Sequence, residues 1–479
     1  MKRTASASLA LSGAQLLAKM IDFFLILVLA RLLTPEDFAL IAIAMIFVQI
    51  TEAILQVPVT QVLVRTPRVT RNMLYTGFAV SCIRALIVVG IILILTPISV
   101  WLFKEPRLYV LMPVLALAPA FRSLMNPKMA LFARRLNYYP EAGIGILSRV
   151  ITAAIALPFA IATESYWALV LMTVISPALS SLMSYLYLPF LPRLSLKSWG
   201  VFANMVGWAT VAQTFGALNW QVKVFVMAQF ATRTTTGNYS VASNLNGMVR
   251  QSLLEPLVRP FISTFSLLEK DGALQGGYLI ASRALFMTAG PIFVVLAVLA
   301  NPIILFLFGP EWTDAPILLC VLAISSILII AVRPASSVAY ARDRTFYIAL
   351  TNGINFATLS VLLWCGFAWY GLTGFLIGQV IGAVIQMMTA SWMVKRLVAL
   401  KYLEQLEVLV VPAIAMSCMA LCLYYAAPLI HYGNQWTLFF SIGAVTVSGV
   451  VTYLAVILLA WTLLGRPEGL EKTIVKAVF

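Results

Sequence analysis

A series of apolar runs, each about long enough to cross a lipid bilayer, constrains this chain more than any other feature. A membrane-spanning helix needs roughly 20 mostly apolar residues. Fourteen runs meet that length: 9–30, 37–58, 74–97, 109–128, 142–162, 166–190, 207–230, 238–260, 284–308, 315–338, 346–368, 372–394, 406–428 and 437–464. Of the 479 residues, 62% are hydrophobic and only 10% are charged, whereas about a quarter are charged in soluble domains. The sequence therefore predicts an all-α, polytopic membrane protein with about 14 transmembrane helices.

The basic residues in the loops indicate how the spans are oriented. Lys and Arg gather in every second loop, as at Arg65, Arg68 and Arg71 after the second run. Lys395 and Arg396 follow the twelfth run in the same way. Because cytoplasmic loops carry an excess of Lys and Arg, this alternation predicts that both chain ends lie in the cytoplasm. The net charge of +15 is then explained by orientation and anionic lipids, and we exclude nucleic acid as a partner.

A weak internal repeat predicts the domain organisation. A shift of 201 residues places the first run on the seventh, so that Phe24 meets Phe225 and Asp22 meets Lys223. The seventh run comes six runs after the first, and this even offset gives both copies the same orientation. We expect an N-terminal six-helix bundle over 1–190, a cytoplasmic linker over 191–206, a C-terminal six-helix bundle over 207–397, and two additional transmembrane helices with a cytoplasmic tail over 398–479.

A glycine run in the twelfth span predicts close helix packing. Gly371, Gly374, Gly378 and Gly382 follow one another at three- and four-residue spacing. Small residues at that spacing let two helix backbones approach closely in a membrane. We expect a structural role for this run.

Charged side chains within the apolar runs are the candidate functional residues. A charge deep in a bilayer is costly, so it usually faces a protein interior or a wet cavity. Basic side chains outnumber acidic ones inside the spans, and the surplus requires an anionic partner or water. The candidates for binding a diphosphate in a central cavity are Arg84, Arg122, Arg250, Arg149, Lys223 and Lys19. Arg333 is a weaker candidate because it lies near the predicted cytoplasmic end of its span.

Polar neighbours support a cavity, although pairing within the protein is an alternative. Ser81 and Arg84 share one helical face, because residues three or four apart align on a helix. The alternative is that the charges pair with one another, as Lys19 and Asp22 could do at i,i+3. Arginine suits phosphate, since its guanidinium binds bidentately and stays protonated. A ligand reached through membrane spans would be an amphiphile, either a phospholipid or a polyprenyl-diphosphate sugar.

Two segments resemble a known family of transporters. The first is VLARLLTPEDFALIAIAMIF (28–47), followed by Glu52 and by QVLVR (61–65). The second is SYWALVLMTVISPALSSLMSYL (165–186). Both resemble the polysaccharide transporter family, which comprises lipid-linked oligosaccharide flippases of the multidrug/oligosaccharidyl-lipid/polysaccharide exporter superfamily. Many members have twelve helices, and fourteen is a feature shared with the lipid II flippases.

The resemblance implies a function and a set of partners. The protein would move an undecaprenyl-diphosphate-linked oligosaccharide across the bacterial inner membrane, for exopolysaccharide, capsule or O-antigen synthesis. Two bundles would rock around a cationic cavity to alternate access. The resemblance also implies coupling to H⁺ or Na⁺, for which Asp22, Glu52 and Glu255 are candidates. No other cofactor and no metal is expected; membrane lipids, a polysaccharide polymerase and a chain-length regulator are expected partners.

Two other classes of protein remain as alternatives. A multidrug exporter of the same superfamily would share the fold, although cationic drugs would favour an acidic cavity. A membrane enzyme acting on lipid-linked sugars would need a large external loop, whereas these loops are short. The sequence contains no P-loop, HExxH or nucleophile-elbow pattern. Its one histidine, His431, falls in a predicted external loop. We therefore expect a transporter that is not an enzyme.

Overall fold

A computed structural model describes residues 2–57, 59–66, 68–135, 137–203 and 208–463. Within these ranges the side chains of residues 2–12, 14–15, 61, 65, 203, 209, 253, 255–256 and 259 lie outside the description. The described residues form helices joined by short turns and loops, with no β-strand among them. They divide into two compact units, Met1–Ser240 and Val241–Phe479.

The first unit contains eleven helices and the start of a twelfth. They are α1 (Lys2–Leu32), α2 (Pro35–Ile54), α3 (Val59–Arg65), α4 (Arg71–Phe103), α5 (Leu108–Leu115), α6 (Leu117–Ser123), α7 (Met129–Arg134), α8 (Tyr139–Thr163), α9 (Trp167–Tyr187), α10 (Trp199–Ala203), α11 (Trp208–Phe230) and α12 (Arg233–Lys270). Helix α8 packs against α1 and α9, and α2 packs against α4, α5 and α11.

The second unit continues from α12 with seven further helices. They are α13 (Leu274–Val298), α14 (Ala300–Leu307), α15 (Ala315–Ile330), α16 (Ala335–Ala341), α17 (Thr345–Val398), α18 (Tyr402–Ala426) and α19 (Gln435–Leu463). Helices α15 and α18 pack against α13, and α19 packs against α18. The buried side chains Phe293, Leu299, Met419 and Leu423 belong to one apolar cluster of this unit.

Helix length and composition confirm the predicted fold class. Nine helices of the described part are long and apolar enough to cross a membrane. The chain is therefore an all-α, multi-pass membrane protein. The number of fourteen spans, the cytoplasmic position of both ends and the domain boundaries stay predictions.

Local signals in the sequence explain where α2 begins. The Thr34 hydroxyl accepts a hydrogen bond from the backbone N–H of Asp37, and the Asp37 carboxylate accepts one from the Thr34 N–H at 3.0 Å. Pro35 occupies the first helical position, where its missing N–H costs nothing. This capping box fixes the start of α2; the helix ends at Ile54, so Glu52 lies in its last turn.

The predicted span 109–128 is two short helices instead of one. Helix α5 ends at Leu115 and α6 begins at Leu117. Pro119 lacks the N–H that would bond to the Leu115 carbonyl in a continuous helix, and its ring clashes with that carbonyl. Arg122 lies on α6, the second of these two helices.

The glycine run makes a close contact within α17. Gly371 has φ 58° and ψ −141°, which ends the first half of this helix and starts the second. A Cβ added at Gly374 would lie 1.9 Å from the carbonyl oxygen of Gly366. The two halves of α17 therefore touch backbone to backbone, which confirms the close approach predicted from the glycine spacing.

Candidate functional site

A cavity of about 260 Å³ lies within the first unit. It is surrounded by the segment after α2, the start of α3, the middle of α4, the link between α6 and α7, and the first turn of α8. Its polar lining consists of Gln56, Thr60, Ser81, Arg84, Arg122, Ser123, Asn126 and Glu141. Arg84 and Arg122, both predicted as diphosphate-binding residues, are thus brought to one site.

Arg122 forms an ion pair with Glu52 beside this cavity. Its Nη1 lies 3.2 Å from Oε2 of Glu52. The Glu52 side chain is 21% exposed and the Arg122 side chain is 47% exposed. A guanidinium carries five N–H donors, so this single contact leaves donors of Arg122 available to a ligand.

Arg84 contacts the same residue through its backbone. Its Nη2 donates to the carbonyl oxygen of Glu52 at 3.3 Å. That carbonyl belongs to the last turn of α2, where it has no partner within the helix, and a cation there is stabilised by the helix dipole. The Nε of Arg84 is buried and has no hydrogen-bond partner among the described residues. An unsatisfied buried donor is costly, so a ligand that moved this side chain and accepted from Nε would be favoured.

Asn126 holds the link between α6 and α7 in place. Its side-chain amide donates to the carbonyl oxygens of Ser184 and Leu188, at 3.2 and 2.8 Å. Its own backbone N–H donates to the Ser184 hydroxyl at 3.1 Å. These bonds attach the link to the end of α9 and fix the position of Arg122, which lies four residues earlier.

The acidic side chains change the charge expected for the site. Glu141 lines the cavity from the first turn of α8. It was not predicted as a site residue because it precedes the predicted span 142–162. The signal in the sequence that could have identified it is an acidic residue directly before a predicted span. Glu141 and Glu52 together are two acidic residues near two arginines, Arg84 and Arg122.

Arg149 lies in a different place, between α8 and α1. Its Nε donates to both carboxylate oxygens of Asp22, at 3.1 and 3.0 Å, and its Nη1 donates to the Gly145 carbonyl at 2.9 Å. Asp22, which the sequence alternative pairs with Lys19, therefore has Arg149 as an ion-pair partner. This contact joins two helices and reduces the surplus of positive charge.

The remaining candidates occupy other helices. Lys19 is half-buried on α1, Lys223 is half-buried on α11, and Arg250 is half-buried on α12 in the second unit. Arg333 lies in the turn between α15 and α16. The side chain of Glu255 lies outside the described residues.

Comparison with protein families identifies the chain. Residues 28–317 match the model of a family described as polysaccharide biosynthesis protein. The chain belongs to this family. A curated relative, the succinoglycan biosynthesis transport protein ExoT of Rhizobium meliloti (strain 1021), is 23% identical over 316 residues. That match covers 64% of this chain and 62% of the relative, so the chain spans less than two thirds of the relative's length.

Solved structures show the same fold. A lipid II flippase, MurJ, in an inward closed conformation matches with a TM-score of 0.65 and 14% identity, over 96% of this chain and 100% of that one. An inward-facing multidrug resistance transporter of the MATE family and MOP superfamily matches with a TM-score of 0.60 and 15% identity, over 81% and 94%. The predicted resemblance to a polysaccharide family is confirmed by the family match, and the fold is consistent with a multi-pass protein of the bacterial inner membrane.

Proposed function

We propose that this protein is a flippase that moves a polyprenyl-diphosphate-linked oligosaccharide across the bacterial inner membrane during polysaccharide synthesis. Membership of the polysaccharide biosynthesis family supports the pathway. The MurJ-like fold supports a lipid-linked substrate, and the name of the relative ExoT supports transport. The proposal includes alternating access by rocking, coupling to H⁺ or Na⁺, and a polymerase and a chain-length regulator as partners.

The cavity that contains Arg84 and Arg122 carries the proposal. Two guanidinium groups from separate helices line one cavity, and two adjacent phosphates can accept bonds from both. A carboxylate or a single phosphate would engage fewer donors. The diphosphate is the part of the substrate that all polyprenyl-linked sugars share, so a site for it would be independent of the sugar.

A multidrug exporter is the second candidate, because a MATE transporter shares the fold. Glu52 and Glu141 could attract a cationic drug to the same cavity. The family match favours the polysaccharide assignment. The two functions predict opposite results when the arginines are removed: export of a lipid-linked anion would fall, whereas export of a cation would be kept or increased.

Complementation tests the proposal. Arg84→Ala and Arg122→Ala are introduced separately into a strain that needs this protein for surface polysaccharide. Each should lower export by about tenfold or more, since a charge-assisted hydrogen bond contributes about 1.5–3 kcal/mol. Lys104→Ala is the matched control, because it also removes one positive charge but lies in the loop after α4. This variant should export polysaccharide normally.

The amount of each variant in the membrane is measured by immunoblotting, so that a loss of protein is separated from a loss of transport. Normal export by both arginine variants would refute the assignment of the site. Normal polysaccharide export together with lost drug resistance in the Glu52→Gln variant would favour the multidrug exporter.

A further inference from the structure

One of the two arginines at the cavity already has an acidic partner within the protein. The carboxylate of Glu52 lies 3.2 Å from Nη1 of Arg122, so it pairs with a guanidinium that a phosphate would also bind. We infer that Glu52 is a built-in competitor that neutralises Arg122 when the cavity is empty and must be displaced when a diphosphate binds. This inference rests on the proposed function, whose site it deepens.

Charge is the first argument. Glu52 pairs with Arg122 beside the cavity, and Glu141 adds a second acidic side chain to the lining that contains Arg84 and Arg122, so the empty site is closer to neutral than its arginines alone would make it. A neutral site spares the protein the cost of an unpaired cation inside a membrane. With the carboxylates in place, the site also has little surplus positive charge with which to bind a diphosphate. That surplus appears only when a carboxylate moves away. Displacing Glu52 from Arg122 supplies that charge only when the ligand is present.

Geometry is the second argument. Glu52 belongs to the last turn of α2, and Leu55–Val57 then leave the helix. A side chain near a helix end can be withdrawn without breaking the body of the helix. Its backbone carbonyl is held by Arg84 at 3.3 Å, so the same residue touches both arginines by different groups. A diphosphate that drew Arg84 and Arg122 together would therefore loosen both contacts of Glu52.

The consequence is a threshold for binding. A tethered group has an effective concentration that reaches the millimolar range for short connections. Weakly bound anions, such as the single phosphates of abundant phospholipids, would not displace it, whereas a ligand that engages both arginines would. After translocation the returning carboxylate would help to expel the diphosphate. Glu52 would thus set both selectivity and release.

Binding of inorganic pyrophosphate to the purified full chain tests the inference. The protein is held in a sugar-based detergent, which carries no phosphate, and the affinity is measured by titration calorimetry. Glu52→Gln keeps the size of the side chain and should raise the affinity about three- to tenfold, the range for losing a partly buried competing ion pair. Arg122→Ala should weaken binding, and Glu52→Gln should give no gain in the Arg122→Ala background.

Glu141→Gln is the matched control, because it makes the same substitution at the other acidic residue next to this cavity. If contact with Arg122 is what blocks the site, this change should raise affinity less than about twofold. An equal gain from Glu141→Gln would show that net charge is responsible and would overturn the inference. Each variant is checked for an unchanged elution volume and melting temperature.

The outcomes separate this inference from the proposed function. If the parent protein binds pyrophosphate through Arg122 but Glu52→Gln does not increase affinity, the competitor is refuted and the anion site stands. If a gain persists without Arg122, the competitor is also refuted. If neither the parent protein nor Glu52→Gln binds pyrophosphate, the anion site itself fails and the competitor fails with it.

Discussion

Arg149 of α8 donates from Nε to both carboxylate oxygens of Asp22 on α1, although 127 positions separate the two residues in the chain. Both side chains are about one-third exposed. The guanidinium also donates to the Gly145 carbonyl one turn earlier, which fixes its orientation. The contact therefore joins the first helix of the unit to α8 at a defined register.

Removing one member of this pair should destabilise the protein. Asp22→Ala leaves Arg149 without its carboxylate, and the expected cost is about 1–3 kcal/mol, below that of a fully buried pair because both side chains are about one-third exposed. Replacing both residues by Ala should cost less than the sum of the single changes. Thermal unfolding of the purified protein in detergent measures these differences.

Lys19 provides the control for that double-mutant cycle. It lies one turn before Asp22 on the same helix, so both cations can be compared for coupling to one carboxylate. The coupling energy between Asp22 and Arg149 should exceed that between Asp22 and Lys19. The reverse order would contradict the role given to Arg149.

Helices α2 and α12 approach so closely that one methyl group added at their contact should destabilise the protein. A Cβ added at Gly237 would lie 1.7 Å from the carbonyl oxygen of Pro35, and no real contact is that short. Gly237→Ala must therefore push the first turns of these two helices apart. We expect a strongly reduced yield of monodisperse protein and a lower melting temperature.

Gly90→Ala on α4 is the matched control, since a Cβ there meets no heavy atom within 4 Å. Alanine is favoured over glycine in a helix by about 1 kcal/mol, so this variant should be as stable as the parent or more so. Equal behaviour of the two variants would show that the helices are not packed as closely at Gly237 as the structure has them.

Local signals made part of this structure predictable from sequence. The start of α2 depends on Thr34, Pro35 and Asp37, which act within four residues of one another. Arg84 and Arg122 could be selected because a charge in an apolar run is costly in any fold. Each of these inferences needs only the residue and its neighbours in the chain.

Other features could not be predicted, because they depend on contacts between distant segments. The i,i+3 spacing on one helix suggests only Lys19 as a partner for Asp22. It cannot predict the pair of Arg149 and Asp22, which lie on different helices. The contact of Arg122 with Glu52 joins α6 to α2, which are 70 positions apart in the chain at these residues. Glu141 was missed because it enters the site from the boundary of a span and not from its interior.

The loop between α4 and α5 predicts a pH-dependent stability. Arg107 donates to Glu105 from Nε at 2.8 Å and from Nη2 at 3.1 Å. These bonds, and to a lesser extent the positive charge, hold the pKa of Glu105 below its ordinary value of 4.5, although burial acts in the opposite direction. A carboxyl with a lowered pKa stabilises the folded state at pH values above 4.5, and this stability is lost as the pH falls through the lowered pKa.

Removal of Arg107 should therefore lower the melting temperature less in acid than at neutral pH. Melting temperatures of the parent protein, Arg107→Ala, Glu105→Gln and the double variant are measured from pH 7 to pH 3. The coupling between the two residues should be small at pH 7, below about 1 kcal/mol because the pair is partly exposed, and should decrease as Glu105 is protonated below pH 4.5. A coupling that stayed constant across this range would show that packing, such as that of Arg107 over the Tyr166 ring at 5.9 Å, holds the loop instead of charge.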